Sequence, residues 1–103
     1  MYRGTTPTYT FKLKDDTVDL TQASNVYVTF AKADKTEIFT KTGEDLDVQA
    51  KQVSVFLTQE ETLSFPVGYI SAQVNWVYAD GTRSATKIVQ IQADTTLKDE
   101  VLE

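Results

Sequence analysis

The sequence predicts an all-β domain, an antiparallel sandwich of about seven strands, on three observations: apolar and polar residues alternate with period two, turn formers separate the alternating runs, and no long run has helical periodicity. The chain has 103 residues, the length of one domain. A domain of that size buries about two thirds of its unfolded surface, enough for one core without covalent staples.

Period two sends alternate side chains to opposite faces of a strand, the pattern of a half-buried antiparallel sheet. Tyr9, Phe11 and Leu13 alternate with Thr10, Lys12 and Lys14. Val26, Val28 and Phe30 alternate with Tyr27 and Thr29, and Val53, Val55 and Leu57 follow the same rule. The longest case is Ile70, Ala72, Val74 and Trp76, separated by Ser71, Gln73 and Asn75, and it predicts a strand central to one sheet. Shorter strands are expected over 37–42 and 46–49, bounded by Ala33-Asp34-Lys35 and Gly43-Glu44-Asp45.

Asp80-Gly81 predicts a two-residue type I′ hairpin that pairs Ala79 with Thr82. That register sets Trp76 opposite Ala85, Ala72 opposite Val89 and Ile70 opposite Ile91. Lys87 falls opposite Val74, a misfit that a bulge near Lys87 and Ile88 relieves. One helical turn is expected over 58–64, where Thr58 and Glu61 form a capping box and Pro66 stops it. Short strands spaced by roughly 8 to 12 residues and closed by hairpins narrow the expectation to an immunoglobulin-like sandwich. The domain is expected over 1–93. The acidic tail 94–103 loses the alternation and is either frayed or docked through Leu97, Val101 and Leu102.

Composition limits the chemistry. The chain has no Cys and no His, which removes disulfides, thiolate zinc sites, imidazole bases and His-dependent triads. Fifteen acidic residues against ten basic ones give a net charge of -5, and the basic residues are scattered, so no nucleic acid partner is expected. No run approaches the roughly 20 apolar residues of a membrane span, and Met1-Tyr2-Arg3-Gly4-Thr5 is unlike a signal peptide. No membrane partner and no cofactor are expected, and synthesis is expected inside the cell.

Several residues invite a functional reading. Glu60 and Glu61 suggest an acid and base pair, but neighbours in a helical turn diverge, and capping accounts for them. Asp15, Asp16 and Asp19 could offer oxygen ligands to calcium, yet the spacing lacks the glycine and terminal glutamate of an EF-hand; Glu44, Asp45 and Asp47 share that weakness and read as a solvated turn. Trp76 has the parity of Val74, Ala72 and Ile70, which places it in the core and not on a sugar-stacking surface. Tyr27, Phe56 and Tyr69 have the opposite parity and are expected to face outward, where they could form a patch for another subunit. Exposed strand edges offer a second route to association, with Pro7 expected to blunt one of them.

The run Thr10-Phe11-Lys12-Leu13-Lys14-Asp15-Asp16-Thr17-Val18-Asp19-Leu20-Thr21-Gln22-Ala23, followed by the strand Val26 to Phe30, resembles the N-terminal immunoglobulin-like domain of phage baseplate upper proteins. There a strand leads through an acidic turn and a DLT-x-A step into the next strand. Arg3-Gly4-Thr5-Thr6-Pro7-Thr8 and Leu57-Thr58-Gln59-Glu60-Glu61-Thr62-Leu63 are similar to small prophage-encoded proteins of Gram-positive bacteria. The resemblance implies a virion component of a tail or baseplate that holds other phage proteins in place, made in the bacterial cytoplasm, with no catalytic residue to carry over. The resemblance does not extend to the helical linker and distal domain of the full baseplate protein, so a direct role in host attachment is not expected from it. A homo-oligomer is also expected. The alternative is a carbohydrate-binding or adhesion module that stacks a glycan on Tyr27, Tyr69 or Tyr78 and orients it with Asn75 or Asp80.

Overall fold

The computed structural model describes residues 1–15 and 17–97. Asp16, Val101, Leu102 and the rest of the tail beyond Leu97 lie outside the described residues. The strands are β1 (Thr8–Lys12), β2 (Asn25–Lys32), β3 (Glu37–Thr42), β4 (Leu46–Gln49), β5 (Gln52–Phe56), β6 (Gly68–Val77), β7 (Arg83–Ala85) and β8 (Val89–Ala93), with one helical turn, α1 (Gln59–Leu63). The first sheet has the order β1-β5-β4; the second has β3-β2-β6-β7, with β8 also on β6. β7 and β8 follow one another along the same side of β6, two pieces of one interrupted strand. Every strand pairing is antiparallel.

This connectivity is the Greek key of an immunoglobulin-like sandwich: β1, β5 and β4 take the places of strands B, E and D, and β3, β2, β6 and β7–β8 those of C′, C, F and G. The place of strand A beside β1 is not filled among the described residues. The first residues turn instead to the second sheet, where Tyr2 bridges in parallel to Asp94. The domain therefore reaches past residue 93, and Leu97 is fully exposed, so it docks on nothing.

The alternation becomes burial as expected. Val28, Phe30, Val74 and Trp76 of the second sheet meet Val53, Val55 and Leu57 of the first in one core. Trp76 is 2% exposed, and its indole N–H donates to the Tyr78 hydroxyl at 3.2 Å, which satisfies the one polar group that a buried Trp brings. Phe30, Phe39 and Phe65 pack ring against ring, with centroids 5.1 to 5.6 Å apart, and tie β2 and β3 to the segment after α1.

The capping box is present. The Thr58 hydroxyl accepts the Glu61 N–H at 3.2 Å, and the Glu61 carboxylate accepts the Thr58 N–H at 2.8 Å. At the other end of the turn, the Arg3 guanidinium donates to the carbonyls of Leu63 at 2.8 Å and Phe65 at 2.7 Å, a cation placed where carbonyls are left unpaired. Among the described residues no helix is long and apolar enough to cross a membrane.

The hairpin after β6 differs from expectation. Tyr78, not Ala79, pairs with Thr82, since the Tyr78 N–H donates to the Thr82 carbonyl and the Gly81 N–H to the Tyr78 carbonyl. Only Gly81 has positive φ there, at 89°, so the loop has three residues and ends in a glycine bulge; a type I′ turn would need positive φ at Asp80 as well. Trp76 consequently faces Ser84 and not Ala85. The expected pairs Ala72 with Val89 and Ile70 with Ile91 hold, so the extra residue is absorbed between Ala85 and Val89. There Thr86 replaces the ladder: its hydroxyl accepts the Val74 N–H at 3.2 Å and its own N–H donates to the Val74 carbonyl at 2.9 Å.

Candidate interaction face

The three outward aromatics do not come together. Tyr27 lies on the outer face of the second sheet, opposite Asn75 on β6 and Thr42 on β3. Tyr69 is on that same face but six positions along β6 from Asn75, about 20 Å away at the rise of an extended strand. Phe56, 52% exposed, is opposite Thr8 on the other sheet, across the core from both tyrosines. A single patch of Tyr27, Phe56 and Tyr69 is therefore excluded by the assignment of strands to sheets.

What the second sheet presents instead is a face without charge at its centre. β2 points Asn25, Tyr27, Thr29 and Ala31 outward, and β6 points Tyr69, Ser71, Gln73, Asn75 and Val77 outward. None of these is charged, although 24% of the chain is Asp, Glu, Lys or Arg. Charges enter at its margins, as Glu37 on β3, Arg83 on β7 and Lys35 of the turn between β2 and β3. The hydroxyls of Thr29 and Thr40 are joined across β2 and β3 at 3.1 Å, and Gln73 donates to the Thr86 carbonyl at 2.8 Å, so much of the face is held in place from within. Tyr27, Thr29, Thr40, Asn75, Val77 and Arg83 line a shallow depression of about 330 Å³. Absence of charge at the centre, with aromatics present, is the composition that marks the buried middle of protein interfaces.

Reasoning from sequence missed two members of this face. Tyr2 and Val67 are 58% and 62% exposed. Val67 precedes Gly68, whose partner is Ala93, and so it sits level with Asp94, to which Tyr2 is bridged. They share this end of the sheet with Tyr69 and with Asp94, whose carboxylate accepts from Gln92 at 3.1 Å. Parity had no purchase on them, because neither belongs to an alternating run.

The other candidates resolve into structural roles. Asp15, Asp19, Asp34 and Asp80 each accept the backbone N–H of the Thr two residues on, at 2.9 to 3.0 Å, and for Asp15, Asp19 and Asp80 the Thr hydroxyl as well. These Asp-x-Thr clips close four turns. The spacing was visible in the sequence as DDT, DLT, DKT and DGT. Hydrogen bonds from Thr lower the pKa of all four carboxyls. In the acidic loop the Lys51 ammonium donates to the carbonyls of Asp15 and Val18, while the Asp15 and Asp19 carboxylates accept from Thr17 and Thr21. Among the described residues no group of His, Cys, Asp or Glu has the arrangement of a metal site.

Glu61 ties α1 to β3 through Lys41 at 2.7 Å. Burial raises its pKa, but the hydrogen bond from Lys41, that from the Thr58 N–H and the Lys41 charge outweigh burial and leave it lowered. Its neighbour Glu60 is exposed, so the two carboxyls do not face one substrate. Asp80 is committed to its clip and Tyr78 to Trp76, which leaves Tyr27 and Asn75 as the adjacent pair from the expected glycan set. No protein-family model, curated protein or solved structure matches this chain.

Proposed function

We propose that this chain is a non-catalytic structural protein of a phage or prophage tail or baseplate, and that it holds another tail protein against the outer face of its second sheet. The observation that carries the reading is the uncharged centre of that face on β2 and β6 in a chain of net charge -5. The resemblance to baseplate upper proteins adds the particle. Its residues have coherent local roles here: Thr10 to Lys12 lie in β1, Asp19 caps a 3-10 turn over Leu20–Gln22, and Leu20 is buried in the core. The test is to purify tails from cells carrying the gene and probe them for the chain. It is expected in the particles, and Gln73→Lys with Asn75→Lys is expected to leave it folded but unincorporated. A chain that stays in the soluble lysate, or a double variant incorporated like wild type, overturns the proposal.

A second reading is favoured by the pairing of Tyr27 with Asn75 beside Arg83 in one depression, an aromatic, an amide and a guanidinium within reach of a single sugar. Binding on a glycan array that is abolished by Tyr27→Ala would support it, and no binder at millimolar ligand would dismiss it.

A further inference from the structure

Among the described residues β1 ends its sheet with an edge on which no strand lies. The Pro7 carbonyl accepts the Leu57 N–H at 3.0 Å, and the Leu13 N–H donates to the Lys51 carbonyl at 2.8 Å. Odd-numbered residues of this stretch therefore aim their backbone groups at β5, and Thr8, Thr10 and Lys12 aim theirs away from the sheet. Pro7 does not blunt this edge, because the N–H it lacks would point to β5 and not to the free side. The other edges are protected. β3 carries a bulge and Glu37, β4 is short and carries Asp47, and the β7–β8 edge is broken at 86–88 with its end taken by Met1 to Arg3. On the second sheet Val89 is 42% exposed although it pairs with core residue Ala72.

We propose that β1 pairs with β1 of a second copy of this chain, antiparallel about a two-fold axis at Thr10. Thr10 then faces Thr10, and Thr8 faces Lys12, so the residues with free backbone groups meet one another and each facing pair forms both of its hydrogen bonds. Between them Tyr9 faces Phe11 of the other copy on the inner side, an aromatic pair at the position where cross-strand side chains lie closest. Charge selects the occupant. Two copies of net charge -5 repel over most of their surface, but this edge carries one charged residue, Lys12, and the register sets it against Thr8, with no like charges opposed. The added strand fills the place beside β1 that is vacant among the described residues, so the inner side of β1 gains burial at Tyr9 and Phe11.

Sedimentation of the full chain over a micromolar concentration series tests this. Wild type is expected to form dimers. Thr10→Lys and Thr10→Glu, at an exposed position, are each expected to keep the native circular dichroism spectrum and remain monomeric, because like charges then meet on the axis. An equimolar mixture of the two is expected to recover the dimer. Wild type that stays monomeric to high micromolar concentration, single variants that dimerise like wild type, or a mixture that stays monomeric overturns the proposal. Tyr27→Ser and Tyr69→Ser lie on the other sheet and are expected to leave the dimer intact, which separates this edge from the face proposed for the tail partner.

Discussion

β6 has two neighbours, and they are held to it in different ways. On one side β2 pairs without interruption from Asn25 opposite Val77 to Lys32 opposite Ile70, and both strands alternate strictly, so a slip by one residue would expose Val26, Val28 and Phe30 together. On the other side, that of β7 and β8, burial constrains only the far end, where Ala93 is buried and Ile91 packs on the core. Ser84, opposite the buried Trp76, is exposed, Val89 is 42% exposed, and the register changes between them. The first ladder is specified by burial along its whole length, the second by burial at its Ala93 end and elsewhere by a glycine turn and the two hydrogen bonds between Thr86 and Val74. Two sides of one strand can therefore owe their register to quite different physics.

The largest effect that would sharpen this contrast is at Trp76, which both ladders share. Trp76→Ala is expected to cost roughly 3 to 5 kcal/mol, a large part of the stability of a domain of this size, measured by urea denaturation. Native fluorescence should be blue-shifted and poorly quenched by iodide, and a water-exposed spectrum would contradict the burial. Ser84→Ala, at the facing position, should change stability by less than about 0.5 kcal/mol.

Thr86→Val keeps the shape but removes the acceptor of the Val74 N–H, and it should cost about 1 to 2 kcal/mol. Hydrogen exchange at the Val74 amide should accelerate more than at any amide of β2. If it does not, the hydroxyl is not what holds the interrupted ladder. Gly81→Ala meets no atom within 4 Å of the new Cβ, so its cost, about 1 kcal/mol, is that of positive φ alone. Thermal melts of Gly81→Ala and Gly81→Asn should separate the two, with Asn the milder, since it tolerates that conformation better.

The smallest effects are those of the clips. Asp15, Asp19, Asp34 and Asp80 have folded pKa values below the unfolded one, so their stabilisation is fully present above the unfolded aspartate pKa, about 3.9, and is lost as pH falls through the lower folded values. Carboxyl carbon shifts followed by NMR should give each a midpoint below that of an unfolded reference peptide. A midpoint at or above the reference would show that the clip does not persist in solution.

Much of this was legible beforehand. Val53, Val55, Leu57, Ile70, Val74 and Trp76 are buried as their alternation requires, and Thr58 and Glu61 cap the turn as their spacing requires. The hairpin was misread because Asp80-Gly81 suits two turn types, and the positive φ at Gly81 but not at Asp80 shows which one forms. The uncharged face went unnoticed because its residues come from β2 and β6, separated by more than thirty positions in the chain and joined only by pairing.

The sequence by itself determined which residues form strands and which side of each strand meets the core, because period two and burial are local properties of a run. It did not determine to which sheet a strand belongs. Tyr27 and Phe56 both alternate with core residues and both face outward, yet they end on opposite sides of the molecule. Outward is defined against a core that two sheets share, and parity is the same on either side of it. Only the tertiary pairing of β1 with β5 and of β2 with β6 decided which side each takes, and with that which outward residues form a common surface.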